Sequence, residues 1–146
     1  MGNTILEEIN EKFSSAPKDI TSYSPLALAF IGDAVYELVV RTLVVEDGNV
    51  SPKKLQQKAT MYEKAVTQSK LADIIQDELT EDEKEIFRRG KNSSPHTKAK
   101  NASLQDYLKA PGFEAVIGYL YLKGENERML TLIKSSFDQL KIDSNS

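Results

Sequence analysis

The chain has 146 residues, a net charge of −3, a pI near 5.3 and no cysteine. That length suits one domain with a sizeable core, and the missing thiols exclude disulfides and thiolate metal sites. No apolar run approaches the roughly 20 residues of a membrane span, and the acidic start MGNTILEEINEKF lacks the basic region and greasy core of a signal peptide; the expectation is a cytoplasmic protein.

Taken in chain order, residues 1–21 read as an N-terminal segment, partly helical, with its first residue or two frayed. Ser24-Pro25 places a cap and a first-turn proline ahead of an apolar helix from Leu26 to Val45. Ser51-Pro52 repeats the device ahead of a long helical stretch ending near Leu79. Thr80-Glu81-Asp82-Glu83 is a capping box for a short helix that Gly90 should stop. Pro111-Gly112 precedes the apolar run FEAVIGYLYLK, with Gly124 behind it, and Asn126 opens a helix whose Met129, Leu130, Leu132, Ile133, Phe137 and Leu140 recur at helical spacing. The tail 141–146 is expected to fray. Only Val39 to Val45 offers a strand-like run, and it suits a buried helix equally well. The fold class is therefore all-α, a single-domain helical bundle.

Charge is segregated along the chain. Asp77 to Glu85 carries six acids against one lysine, whereas Arg88 to Gln105 carries five basic residues, Arg88, Arg89, Lys91, Lys98 and Lys100, with His96 and no acid. A helix dipole explains the acids and the two arginines. It does not explain three lysines spread through a segment rich in Ser, Asn, Thr and Pro, which reads as loop. Two readings stay open for that loop, a solvated surface or a finger that neutralises nucleic-acid phosphates.

Two apolar helices carry acids where burial penalises them. In LALAFIGDAVYELVV, Ala29, Asp33, Glu37 and Arg41 share one stripe at four-residue steps. A carboxylate taken out of water costs several kcal/mol unless a cation, backbone donors or a metal compensates it. Arg41 can serve Glu37 but reaches Asp33 poorly. In GFEAVIGYLYL the one charged residue is Glu114, with Gly112 and Gly118 leaving room for a close neighbour. Were the two helices to cross with Asp33 and Glu114 converging, oxygen-only ligands would favour Mg²⁺ or Mn²⁺ and phosphoryl-transfer chemistry. Local capping of Asp33 and the helix dipole at Glu114 are the bland alternative.

These same strings carry a family resemblance. Phe30-Ile31-Gly32-Asp33-Ala34-Val35, within LALAFIGDAVYELVVR, resembles the signature helix of the ribonuclease III family, and GFEAVIGYLYL resembles that family's second acidic motif; order and a spacing of about 80 residues agree too. With RRGKN, and little chain left for a double-stranded-RNA-binding domain, the sequence is most similar to the family's short bacterial form, over roughly residues 22–140. The resemblance implies a homodimeric, Mg²⁺-dependent endonuclease that cuts double-stranded RNA to leave 5′-phosphates, and in the short form matures the ends of the large-subunit (23S) ribosomal RNA precursor. It implies Asp33 and Glu114 as catalytic, metal-holding acids, and Arg88, Arg89, Lys91, Lys98 and Lys100 as RNA contacts. Two positions depart from the wider family: Ala29 and Pro111 stand where acids are usual. Either fewer ligands then suffice, with water filling the shell of the metal, or Glu37 or Asp106 acts as the auxiliary acid, or the chain is a catalytically impaired double-stranded-RNA-binding module. Dimerisation is further suggested by Phe30, Ile31, Ala34, Val35 and Leu38, which cover more than one side of their helix, although a central helix can bury such residues in its own fold.

Overall fold

The computed structural model describes residues 3–93 and 104–145, with side chains described over 3–93 and 109–141. Among the described residues there are α-helices and short 3₁₀ turns and no strand, as the patterning predicts. The helices are α1 (Ile5–Lys12), α2 (Pro25–Asp47), α3 (Pro52–Glu63), α4 (Ala65–Ile75), α5 (Glu81–Asn92), α6 (Leu104–Leu122) and α7 (Asn126–Asn145).

The start signals work as read. Ser24 accepts a hydrogen bond from the Ala27 N–H at 3.1 Å, Ser51 accepts from Lys54, and Pro25 and Pro52 fill first-turn positions whose missing N–H would have had no intrahelical partner. Thr80 and Glu83 close the capping box of α5. Glu83 is 3 % exposed, and Arg128 of α7 reaches it with Nε at 3.0 Å and a second nitrogen at 2.8 Å. Burial pushes the Glu83 carboxyl up, but the Arg128 hydrogen bonds and charge, with the Thr80 cap, outweigh it and hold the group below the usual glutamate value.

Three boundaries differ from the sequence reading. The long helix from Pro52 breaks at Lys64, whose backbone is extended (φ −70°, ψ 152°). Neither Gly nor Pro marks the break; the terminal carbonyls of α3 are taken by hydroxyls from elsewhere, Met61 by Thr67 at 2.6 Å and Tyr62 by the buried Tyr36 at 2.7 Å. Gly90 does not stop α5, which runs on to Asn92. A Cβ on Gly90 would lie 2.8 Å from Ala115 Cβ and 3.1 Å from Gly112 Cα, so this glycine is there to let α5 lie close on α6. Pro111 lies inside α6, not ahead of it. Its lost backbone donor is offset by burial of Ala110 and Phe113 and by a 2.9 Å ion pair from Lys109 to Asp73 of α4. The last helix, α7, is described as far as Asn145.

α6 is the hub of the core. Ala115, Val116, Ile117, Tyr119 and Leu120 are all buried, with α2, α4 and α5 packed around them. Where α2 crosses α6, a Cβ on Gly32 would sit 1.8 Å from the Glu114 carbonyl oxygen, and one on Gly118 would sit 2.0 Å from the Leu28 carbonyl oxygen. The two backbones touch, and no side chain fits between them. Tyr36 continues the seam one turn on, edge-on to Phe113 with ring centroids 5.4 Å apart. Gly32→Ala is therefore expected to cost about 3 kcal/mol or more, because the methyl meets backbone that can move only by separating two core helices; a urea midpoint within experimental error of the wild type would refute the tight crossing.

Candidate active site

The glycine crossing decides where the acids meet. Asp33 follows Gly32 on α2, and Glu114 is the residue of α6 whose carbonyl lies against Gly32. Their side chains emerge together on one side of the seam, and the two carboxyl groups hydrogen-bond each other. Asp33 is exposed, whereas Glu114 is largely buried. Burial first, then the hydrogen bond and charge of Asp33, and then the charge of Glu37 push Glu114 up to about 9. At neutral pH its carboxyl keeps a proton and donates it toward Asp33.

Glu37, one turn beyond Asp33, is half-exposed and flanks the pair. Arg41 lies a further turn on, 3.9 Å from Glu37. Glu63, the last residue of α3, completes the acidic wall and was not singled out in the sequence. Its Oε1 is buried with no hydrogen-bond partner among the described residues and lies 3.8 Å from Arg41. Burial pushes its carboxyl up, as do the charges of Glu37 and Asp33, against a lowering by Arg41. Nothing in MYEK announces this role, since the run reads as an ordinary solvated helix end. Only the break at Lys64 and the packing of α3 on α2 bring Glu63 here.

The basic residues divide. Arg88, Arg89 and Lys91 stand on the last turns of α5, not in a loop, and the Gly90–Gly112 contact lays that end of the helix beside the α6 segment that carries Glu114. Arg88 is exposed and hydrogen-bonds Glu85 with Nε at 3.0 Å, while Arg89 and Lys91 are half-buried. Lys98, Lys100 and His96 lie outside the described residues, and so does the side chain of Asp106.

Two converging oxygen donors beside an open face, without a cation on the buried one, are a donor set that suits a hard divalent ion. Among the described residues no group of three or more His, Cys, Asp or Glu side chains gathers as a metal site. The pair alone can thus supply two ligands, with water and substrate oxygens filling the rest, as Mg²⁺ tolerates.

An all-α fold whose central helix crossing brings two carboxylates to an open face, with a basic helix end alongside, is the arrangement of a phosphodiester-cleaving enzyme, and the comparisons make the class specific. Residues 26–125 match the ribonuclease III domain. The chain is 44 % identical over 127 residues to Mini-ribonuclease 3 of Clostridium tetani, covering 86 % of this chain and 83 % of that protein. It is 44 % identical over 117 residues to Mini-ribonuclease 3 of Streptococcus pneumoniae, covering 79 % and 91 %. The crystal structure of protein FN1578 from Fusobacterium nucleatum superposes with a TM-score of 0.74 at 34 % identity, over 80 % of this chain and 95 % of that one. The chain belongs to the ribonuclease III family. It is an endoribonuclease of that family, a class that acts on double-stranded RNA, and among its described residues no helix is long and apolar enough to cross a membrane.

The raised Glu114 carboxyl has a consequence for stability. An acid whose folded-state value lies above its unfolded one favours the fold while protonated, so stability is lost as pH climbs from about 4.5 through about 9. Metal-free Glu114→Gln, neutral at every pH, is expected to melt about 3–6 °C above the wild type near pH 8, a shift of about 1–2 kcal/mol, and to match it in acid where both side chains are neutral. Coincident melting curves near pH 8 would show that the fold does not hold this carboxyl neutral.

Proposed function

We propose that Asp33 and Glu114 hold a divalent cation, Mg²⁺ or Mn²⁺, and that the chain uses it to cut double-stranded RNA, leaving 5′-phosphate ends. The observation that carries this reading is the meeting of the two carboxyls, one largely buried and one open, at a crossing that leaves no side chain room to separate them. When bound, the ion supplies Lewis-acid chemistry, lowering the pKa of water and offsetting charge that develops on the phosphate. To hold a cation Glu114 would have to give up its proton, so ion uptake would release protons. Asp33, on the solvent side, is the ligand within reach of a passing RNA strand. Glu37 stands close enough to act as an auxiliary acid through water, and Asp106 is a second candidate for that role.

Strand binding falls to Arg88, Arg89 and Lys91, with Lys98 and Lys100 beyond them. Their end of α5 lies beside the acidic pair, so a duplex gripped there by its phosphates passes over Asp33. A-form RNA hides its base edges in a deep, narrow groove, so selection is by helix shape. The relatives that carry the name Mini-ribonuclease 3 support the short form of the family; the task proposed with it is maturation of the 23S ribosomal RNA precursor, in the cytoplasm.

Exposed apolar residues on α2 support a homodimer. Phe30 is 81 % exposed and Leu38 is 58 % exposed, and with Leu26 and Ala34 they form a stripe beside the face that carries Asp33. Val35, counted with them in the sequence, is buried in the protomer's own core, so the exposed stripe is narrower than the sequence suggests. An isologous contact along it would bury these side chains and set two sites on one surface.

Two experiments test the reading. Asp33→Asn and Glu114→Gln are each expected to lower the rate of Mg²⁺-dependent cleavage of duplex RNA by about 10³-fold or more while leaving duplex binding in EDTA nearly unchanged; cleavage by either variant at the wild-type rate would remove the metal-holding role. For the dimer, Phe30→Lys is expected to give a monomer in sedimentation equilibrium at concentrations where the wild type is dimeric, and an unchanged dimer would place the interface elsewhere.

A further inference from the structure

Arg41 stands eight residues past Asp33 on the same stripe of α2, about 12 Å along the helix axis. Its side chain is 57 % exposed. It lies 3.9 Å from Glu37 and 3.8 Å from Glu63, both beyond hydrogen-bond distance, and it makes no hydrogen bond among the described residues. A guanidinium offers five N–H donors in a planar fork matched to carboxylate or phosphate. Here that fork touches two acids loosely and engages neither of them. Exposed ion pairs of this kind hold a side chain weakly, so little is lost when it turns elsewhere.

The surroundings give it somewhere to turn. Asp33, Glu37, Glu63 and Glu114 crowd one wall, close enough that the charges of Asp33 and Glu37 are felt at both Glu63 and Glu114. Such a wall repels a polyanion. A cation at its edge is needed to bring a phosphate strand across it, and the basic end of α5 lies against Gly112 and Ala115 of α6. On α2 the cation on the Asp33 stripe is Arg41.

We propose that Arg41 binds a backbone phosphate of the RNA strand being cut, a few nucleotides from the phosphate at the Asp33–Glu114 pair, exchanging its loose contacts with Glu37 and Glu63 for a bidentate pair. This rests on the nuclease reading above. It makes Arg41 a substrate-binding residue that fixes the register of the strand over the acids. The competing role is structural, in which Arg41 only offsets the buried charge of Glu63.

The test compares the wild type with Arg41→Gln, Arg41→Lys, Glu63→Gln and the double variant Arg41→Gln/Glu63→Gln. Binding of a 30-base-pair RNA duplex is followed in EDTA across a salt series, cleavage is followed with Mg²⁺, and melting is followed throughout. Arg41→Gln is expected to weaken binding about tenfold and to lower the salt slope of log affinity by about one, as for one lost phosphate contact. KM should rise while kcat stays within about threefold. Arg41→Lys should restore the slope and only part of the affinity, because an ammonium keeps the charge without the fork. Removing Glu63 as well should recover any lost stability but leave binding weak. The proposal is overturned if Arg41→Gln binds with wild-type affinity and slope, or if the double variant regains both. A wild type that neither binds nor cuts the duplex would bring down the nuclease reading and this one together, whereas a wild type that does both beside an unaffected Arg41→Gln would sink this one alone.

Discussion

The contact on which the rest depends is between two stretches of bare backbone. At Gly32 and Gly118 the helices α2 and α6 approach until peptide groups touch, with a built Cβ falling 1.8 Å from one carbonyl oxygen and 2.0 Å from another. Ordinary side chains at a helix crossing hold the axes about 8–10 Å apart. Without them at these two positions, the residues just beside the crossing are brought together, and Asp33 and Glu114 are those residues. A fold with alanine at either position would have to open the seam, and the carboxyls would part with it.

Close approach has an electrostatic cost that the protein leaves in place. Glu114 is pushed up to about 9 by burial and by its acidic neighbours, and Glu63 is raised by the same two causes. In the free protein a proton on Glu114 relieves part of that repulsion, and a divalent cation would relieve more of it by replacing the proton. A site of this kind is poor as a stabilising element, and on the proposed reading the same repulsion would favour uptake of a cation. Stability comes instead from elsewhere: the apolar seam around Tyr36 and Phe113, and the Arg128–Glu83 pair that ties α7 to the start of α5.

The start of each helix after α1 that carries a cap could be read in advance, because Ser24-Pro25, Ser51-Pro52 and Thr80 with Glu83 satisfy N–H groups using residues within three positions of one another. Helix ends were less legible. The break at Lys64 is made by Tyr36 and Thr67, and the first of these is 26 residues from the carbonyl it binds. Gly90 carried the local signature of a stop and Pro111 that of a helix start, yet the contact between their helices kept both inside. A breaker residue costs a few kcal/mol at most, and tertiary packing can exceed that.

By itself the sequence determined that the fold is helical, that Asp33 and Glu114 are acids misplaced on apolar helices, and that positive charge gathers after Arg88; each follows from periodicity or composition over neighbouring residues. Only the tertiary structure decided that the two acids share a hydrogen bond, that Glu63 joins their wall, and that Lys91 extends the basic helix end and that end lies beside α6. The reason is physical. Local pattern reports which face of a helix avoids water, whereas the meeting of side chains 81 residues apart depends on how closely two helices can approach, and here that is set by Gly32 and Gly118, whose spacing marks room for a neighbour without saying which helix fills it.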